Sequence, residues 1–245
     1  MRIVVISPPR SGNHWIECLL GEIYGLEHLG GAQKPPDTKA RAFHDWAKAG
    51  GFPDDSIFHL HCRFRGRLCD VIDAVPAHIV TMLRDPYDAF VSRYFWTQKR
   101  QPTDIEKAER RSRHQMVGKP LDDPAVLAFL EDSEGFEGHL RSAIEWSKSG
   151  RAAVVRYEDL HTRPVEALTE VTNAISPVEG SIIAAAIEAC RADNMRQQSE
   201  KMQWNVRVAK VGDSREKLGP AHLEIFRDRY ADLIQELGYE VRDVE

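Results

Sequence analysis

A chain of 245 residues with 42% hydrophobic and 29% charged side chains is long enough to bury a sizeable core, and it suits a single α/β domain over 1–245 better than two domains. Its formal charge of -5 argues against a general nucleic-acid coat while leaving room for a local basic pocket that holds a small anion. The N-terminal apolar run is far shorter than a signal core or a membrane span, and Cys18, Cys62, Cys69 and Cys190 show no Cys-x-x-Cys pairing; a cytoplasmic protein with reduced thiols and no membrane insertion is expected.

The first strand is expected over Arg2-Ile3-Val4-Val5-Ile6, running through Ser7 to Trp15 into an amphipathic helix. Trp15, Ile16, Leu19, Leu20, Ile23 and Tyr24 recur at helical spacing, and Gly25 suits the end of that helix. Backbone N–H groups at a helix N-terminus lack intrahelical partners and sit at the positive end of the dipole, so a Gly-containing turn delivering Arg10 there suits phosphate or sulfate. The turn is not a Walker A, because Gly12 is followed by Asn13 and His14 rather than by Lys and Ser/Thr.

A second strand is expected over Ser56 to His61 and a third over His78 to Leu83. The third ends at Arg84-Asp85-Pro86, where Asp85 can cap a helix carrying Phe90, Val91, Tyr94 and Phe95. A fourth strand, Ala152 to Tyr157, precedes helices near 164–175 and 178–190, and a last helix runs from about Pro220 to Leu237. This alternation is the pattern of a parallel sheet covered on both faces. Asp88 reads as a helix-surface charge, and Glu158 and Asp159 as turn residues. Gly30 to Asp55 and Gln98 to Pro120 fit the plan poorly. In Gln98 to Pro120 the cations outnumber the anions, which suits a solvated face, or a lid or acceptor-binding surface for an acidic substrate.

Arg84 at a strand end and Ser92 about two turns into the next helix, taken with Pro9-Arg10-Ser11-Gly12-Asn13-His14-Trp15, resemble the sulfotransferase family. Its members bind 3′-phosphoadenosine 5′-phosphosulfate (PAPS) with one loop on the 5′ end and an Arg-Ser pair on the 3′-phosphate. Val155-Arg156-Tyr157-Glu158-Asp159-Leu160 resembles the strand whose Tyr contacts adenine, and Arg207 to Asp213 resembles the late loop that closes over the 3′-phosphate. The resemblance implies a three-layer, P-loop-like α/β fold around a mostly parallel sheet. PAPS is then the co-substrate, adenosine 3′,5′-bisphosphate (PAP) the product, and no metal is expected. Val208, Ala209 and Ser214 depart from the family's late loop, and Gly219-Pro220 replaces the Thr-Val of a dimer motif, so dimerisation is not carried over.

Sulfuryl transfer builds negative charge on the bridging oxygen, which a positioned cation and N–H dipoles stabilise. Arg10 is the candidate for that role, with Ser11, Gly12, Asn13 and His14 as donors to the phosphosulfate. By the resemblance Trp15 stacks on adenine, Tyr157 contacts it, and Arg84, Ser92 and Arg207 hold the 3′-phosphate. The acceptor hydroxyl needs a base, and Phe58-His59-Leu60-His61 resembles the family's Lys-Thr-His, which nominates His61; in a strand His59 faces the same side and can orient or substitute for it. His59 and His61 with Cys62 and Cys69 match no common zinc spacing. The acceptor is a hydroxyl-bearing small molecule, carbohydrate, lipid or peptide natural product. A P-loop-like small-molecule kinase and a non-catalytic nucleotide-binding module are the alternatives.

Overall fold

Four consecutive apolar residues, Ile3 to Ile6, leave no polar face to turn to water, so β1 (Arg2–Ile6) has to be covered on both sides. In the computed structural model, which describes residues 1–35, 40–64, 66–99, 115–132, 135–198 and 210–244, it is. β1 forms an all-parallel sheet with β2 (Glu27–His28), β3 (Ser56–Leu60), β4 (His78–Leu83) and β5 (Ala152–Arg156), in the order β2-β3-β1-β4-β5. Among the described residues the α-helices are α1 (Asn13–Tyr24), α2 (Ala40–Trp46), α3 (Gly66–Ala74), α4 (Pro86–Gln98), α5 (Pro124–Glu131), α6 (Phe136–Lys148), α7 (Tyr157–Thr162), α8 (Pro164–Ile175), α9 (Gly180–Ala189), α10 (Ala192–Gln198) and α11 (Pro220–Glu236).

The period-2 alternation of β1 divides the core. Ile3 and Val5 pack with Ile16 and Leu19 of α1, Leu168 of α8 and Ile183 of α9. Val4 and Ile6 point the other way, to Phe43, Phe52, Phe58, Ile72 and Trp146. A third cluster, with Phe90, Phe129, Phe136, Phe226 and Tyr230, ties α4, α5, α6 and α11 together. The result is the expected three-layer arrangement. Because all strands run parallel, the loops leaving β1, β3, β4 and β5 emerge at one edge, and the chain's switch from the β3 side of β1 to the β4 side opens a crevice there.

Several expectations are corrected. Tyr157 opens α7 instead of ending the strand. Asp88 is not a surface charge: it is 1% exposed, and its carboxylate accepts bonds from Gly212 N, Ser214 N and Ser214 Oγ at 2.6, 2.9 and 2.5 Å. The four cysteines are not all thiols, since Cys18 of α1 and Cys190 at the end of α9 form a disulfide with Cα atoms 5.9 Å apart. Packing of α1 on α9 brings together residues 172 apart in sequence, a proximity that cysteine spacing does not reveal, and the inference of a reducing compartment loses its support. The interval Gly30 to Asp55 holds α2 and the π-helical turn Ala47–Gly51, with Phe43, Trp46 and Phe52 packed on Phe58. Of Gln98 to Pro120, residues 100–114 lie outside the described residues. Among the described residues no helix is long and apolar enough to cross a membrane.

Candidate active site

The β1–α1 loop is shaped by two left-handed residues, Arg10 at φ 74° and Gly12 at φ 103°. A side chain at Gly12 would also collide, because its Cβ would lie 2.8 Å from Tyr157 Cδ2 and 2.9 Å from Met82 Cε. Asn13 Nδ2 donates to the Pro8 carbonyl at 3.0 Å, and Ser7 Oγ accepts from Met82 N at 2.7 Å, which pins the loop to β4. The Asn13 amide is thereby committed to the loop, so a donor role falls to its backbone. Ser11 is 3% exposed and lies beneath the loop, off the wall of the main cavity. Gly12, the N-cap of α1, has no side chain to offer, and Trp15 N and Ile16 N donate to its carbonyl; the N–H groups at such a helix start suit an anion.

Arg84 leaves the end of β4 and donates from NH1 to the Arg10 carbonyl at 3.0 Å, with its guanidinium 4.1 Å above the Tyr157 ring. Arg10 Nε in turn donates to Ser92 Oγ at 3.2 Å. Asp85 accepts from Tyr87 N and Asp88 N, as an N-cap before Pro86 should, and this fixes the helix that carries Ser92. Trp15 stands beside Tyr157 and His161, with centroids 5.7 and 4.7 Å away. Arg10, Arg84, Ser92, Trp15, Tyr157 and His161 line a single cavity of about 1520 Å³, together with Gly12, Asn13, His14, His59 and His61. Arg207 lies outside the described residues.

His59 and His61 do share a face, with ring centroids 5.2 Å apart. His61 Nδ1 lies 2.8 Å from the Ser7 carbonyl; a carbonyl only accepts, so Nδ1 carries the proton and Nε2 keeps its lone pair. His61 is exposed to the open cavity; partial loss of hydration against the surrounding protein, then charge on His59, Arg93 and Lys34, lowers its pKa, with the Ser7 carbonyl opposing, and the net direction favours the neutral form.

Glu17 is the residue that the sequence reading passed over. It is 5% exposed on α1, and its Oε2 lies 2.6 Å from His59 Nδ1 and 3.3 Å from His14 Nδ1. Burial alone would raise its pKa, but hydrogen bonds from His14 and His59 outweigh that and hold the carboxyl ionised, well below the usual carboxylate range. A carboxylate one turn into a helix whose N-terminus is to face an anion has the wrong sign unless cations or N–H donors surround it, and that was the available signal. His14, Glu17 and His59 are also the one group of three metal-type donors among the described residues, with donor atoms within 4.8 Å of one another. The Lys34 ammonium stands 3.3 Å from the same His59 nitrogen, placing a positive charge where a metal ion would need none.

The sulfotransferase domain pattern matches residues 57–238, about three quarters of the chain and beginning beyond the β1–α1 loop. No curated protein matches the chain. Among solved structures, mouse sulfotransferase SULT7A1 complexed with PAP superimposes with a TM-score of 0.70 at 17% identity, covering 96% of this chain and 84% of that one. Retinol dehydratase in complex with androsterone and the inactive cofactor PAP gives 0.63 at 12% identity, covering 99% and 83%. Its complex with retinol and PAP gives 0.59 at 12%, covering 100% and 83%. These likenesses establish the fold, and the domain match over most of the sheet and its crevice establishes the lineage: the chain belongs to the sulfotransferase family.

Proposed function

We propose that this enzyme transfers a sulfuryl group from PAPS to a hydroxyl oxygen of a small-molecule, carbohydrate, lipid or peptide acceptor, releasing PAP. The carrying observation is the pair of bonds from Arg10 Nε to Ser92 Oγ and from Arg84 NH1 to the Arg10 carbonyl. They bring the loop suited to a 5′-phosphosulfate and the Arg-Ser pair suited to a 3′-phosphate to one cavity wall. In this reading the Arg10 guanidinium and the N–H groups at the start of α1 stabilise charge on the bridging oxygen. Trp15 and Tyr157 flank the adenine, while Arg84, Ser92 and Arg207 take the 3′-phosphate. A histidine at the end of β3 accepts the acceptor's proton, and the family pattern names His61. The PAP bound in SULT7A1 and retinol dehydratase supports the choice of nucleotide, and the androsterone and retinol of the latter support a hydroxyl acceptor.

The test is calorimetric titration of the full chain with PAP in the absence of magnesium, followed by an acceptor panel with labelled PAPS. Tight PAP binding and label transfer are expected. Preference for Mg-ATP would make the protein a kinase, and PAP binding with transfer to no acceptor would make it a nucleotide-binding module.

A further inference from the structure

The two histidines at the end of β3 hold their rings in different ways, and the difference bears on which takes the proton. His61 leans on a neutral carbonyl, that of Ser7. His59 leans on the buried Glu17 carboxylate at 2.6 Å. An ionised carboxylate only accepts, so His59 Nδ1 carries the proton and its Nε2 keeps the lone pair. The Lys34 ammonium, 3.3 Å from both His59 Nδ1 and the His59 carbonyl, then donates to the carbonyl. A base held in one tautomer by a third group, with that group stabilising the cation that forms, is the arrangement of an activated acid–base pair.

We propose that Glu17 is a positioning residue that makes His59 the proton acceptor of the transfer, with His61 as a neutral hydrogen-bonding neighbour. This rests on the sulfuryl-transfer reading. As the acceptor oxygen forms its bond to sulfur, the bond from sulfur to the bridging oxygen breaks and its electron pair stays on the phosphate of PAP. The acceptor's proton passes to His59 Nε2, giving an imidazolium paired with Glu17. Among the described residues, the charged and titratable groups around His59 are Glu17 and His14 from α1, Lys34 just after the turn Gly31–Gln33, and His61. Of these only Glu17 stabilises the protonated ring. Burial, Lys34 and His14 all lower the His59 pKa, so the ring rests neutral and ready to accept. Among the described residues no carboxylate is bonded to His61 in the same way.

The sign follows directly. Removing the Glu17 charge lowers the His59 pKa, which moves the acid limb of the pH–rate profile to lower pH and weakens the base on the plateau. The test uses the full chain, PAPS, and 2-naphthol as a phenolic acceptor probe, alongside a ¹⁵N imidazole titration by NMR that needs no turnover. His59→Gln should lower kcat by about 10²–10⁴-fold, as for a lost general base, and His61→Gln should lower it less. Glu17→Gln should move both the acid limb and the His59 titration downward with little change in PAP affinity, and Glu17→Asp should restore part of each. A larger loss in His61→Gln, or a His59 titration unmoved in Glu17→Gln, overturns the proposal. If 2-naphthol is not sulfated, the NMR titration decides alone. Failure of the wild type to bind PAP would instead overturn the sulfotransferase reading and leave the Glu17–His59 pairing to its own titration.

Discussion

Arg10 joins a demanding backbone to a demanding side chain, and two substitutions separate them. At φ 74° its backbone lies in the left-handed region, where an L side chain costs about 1–2 kcal/mol. Arg10→Gly removes that strain but adds unfolded-state entropy of about 0.4–1 kcal/mol, whereas Arg10→Ala keeps the strain. Both lose the 3.2 Å bond to Ser92 Oγ, so that loss cancels between them. The glycine variant should therefore be the more stable of the two by about 1 kcal/mol. Urea unfolding with an unchanged slope reads this difference directly. Transfer should fall alike in both, by about 10²–10³-fold, the penalty for losing one donor to a developing oxyanion. An alanine variant as stable as the glycine variant would refute the strain, and a glycine variant that still transfers sulfate would remove the guanidinium from the chemistry.

At Gly12 strain and collision act together, so Gly12→Ala should lower stability by about 2–3 kcal/mol and weaken PAP binding, as thermal melts and calorimetry would show; wild-type behaviour would mean that the loop can yield at Tyr157 and Met82. Asp88→Asn removes the ionised acceptor of three bonds from Gly212 and Ser214, and a loss of about 2–4 kcal/mol is expected, with PAP affinity falling as the late loop loosens. Unchanged affinity would separate residues 212–214 from the nucleotide site. Reducing Cys18–Cys190 should lower stability by about 2–4 kcal/mol, read as a melting temperature sensitive to reductant in the wild type and insensitive in a Cys18→Ser, Cys190→Ser double variant.

The strands β1 and β4 could be read from the chain because a parallel strand buried on both faces is a nearly continuous apolar run, while β3 and the edge strand β5, where Val154 is 41% exposed, showed shorter apolar or β-branched stretches. The helices α1, α4, α8 and α11 were equally legible, since Gly25 and the prolines at 86, 164 and 220 mark their ends. β2 was not, because two exposed residues on an edge strand, Glu27 and His28, pair through backbone groups that every sequence possesses. The helix α5 carried a signal that was passed over, Asp123 capping Ala125 N ahead of Pro124. In the site, Arg10, Gly12, Asn13, His14, Trp15, His59, His61, Arg84, Ser92 and Tyr157 were named from motif position and line the cavity, whereas Lys34, Arg93 and His161 of the same lining, and the buried Asp88 and Glu17, were not. Each of these two is a carboxylate with a partner remote in sequence, 124 residues away at Gly212 and 42 away at His59, and burial of such a charge depends on partners of that kind, joined at Glu17 by the nearby His14.

Arg242 lies far along the chain from the residues suited to the 3′-phosphate, yet it bonds to their scaffold. Its guanidinium reaches Asp85 Oδ2 at 3.0 Å and Ser214 Oγ at 2.9 Å, and its backbone N–H donates to the Tyr87 hydroxyl at 3.0 Å. Asp85 is the cap of the helix that carries Ser92, and Ser214 is held by Asp88 of that same helix. With the 3′-phosphate held as proposed, the segment around Arg242 and the nucleotide would share one equilibrium. By linkage, nucleotide that binds the braced form tightens this segment, and the segment in turn adds to nucleotide affinity by the same factor. Amide exchange at residues 240–243 would then report occupancy, and a tag fused beside them would act on affinity without touching the ligand.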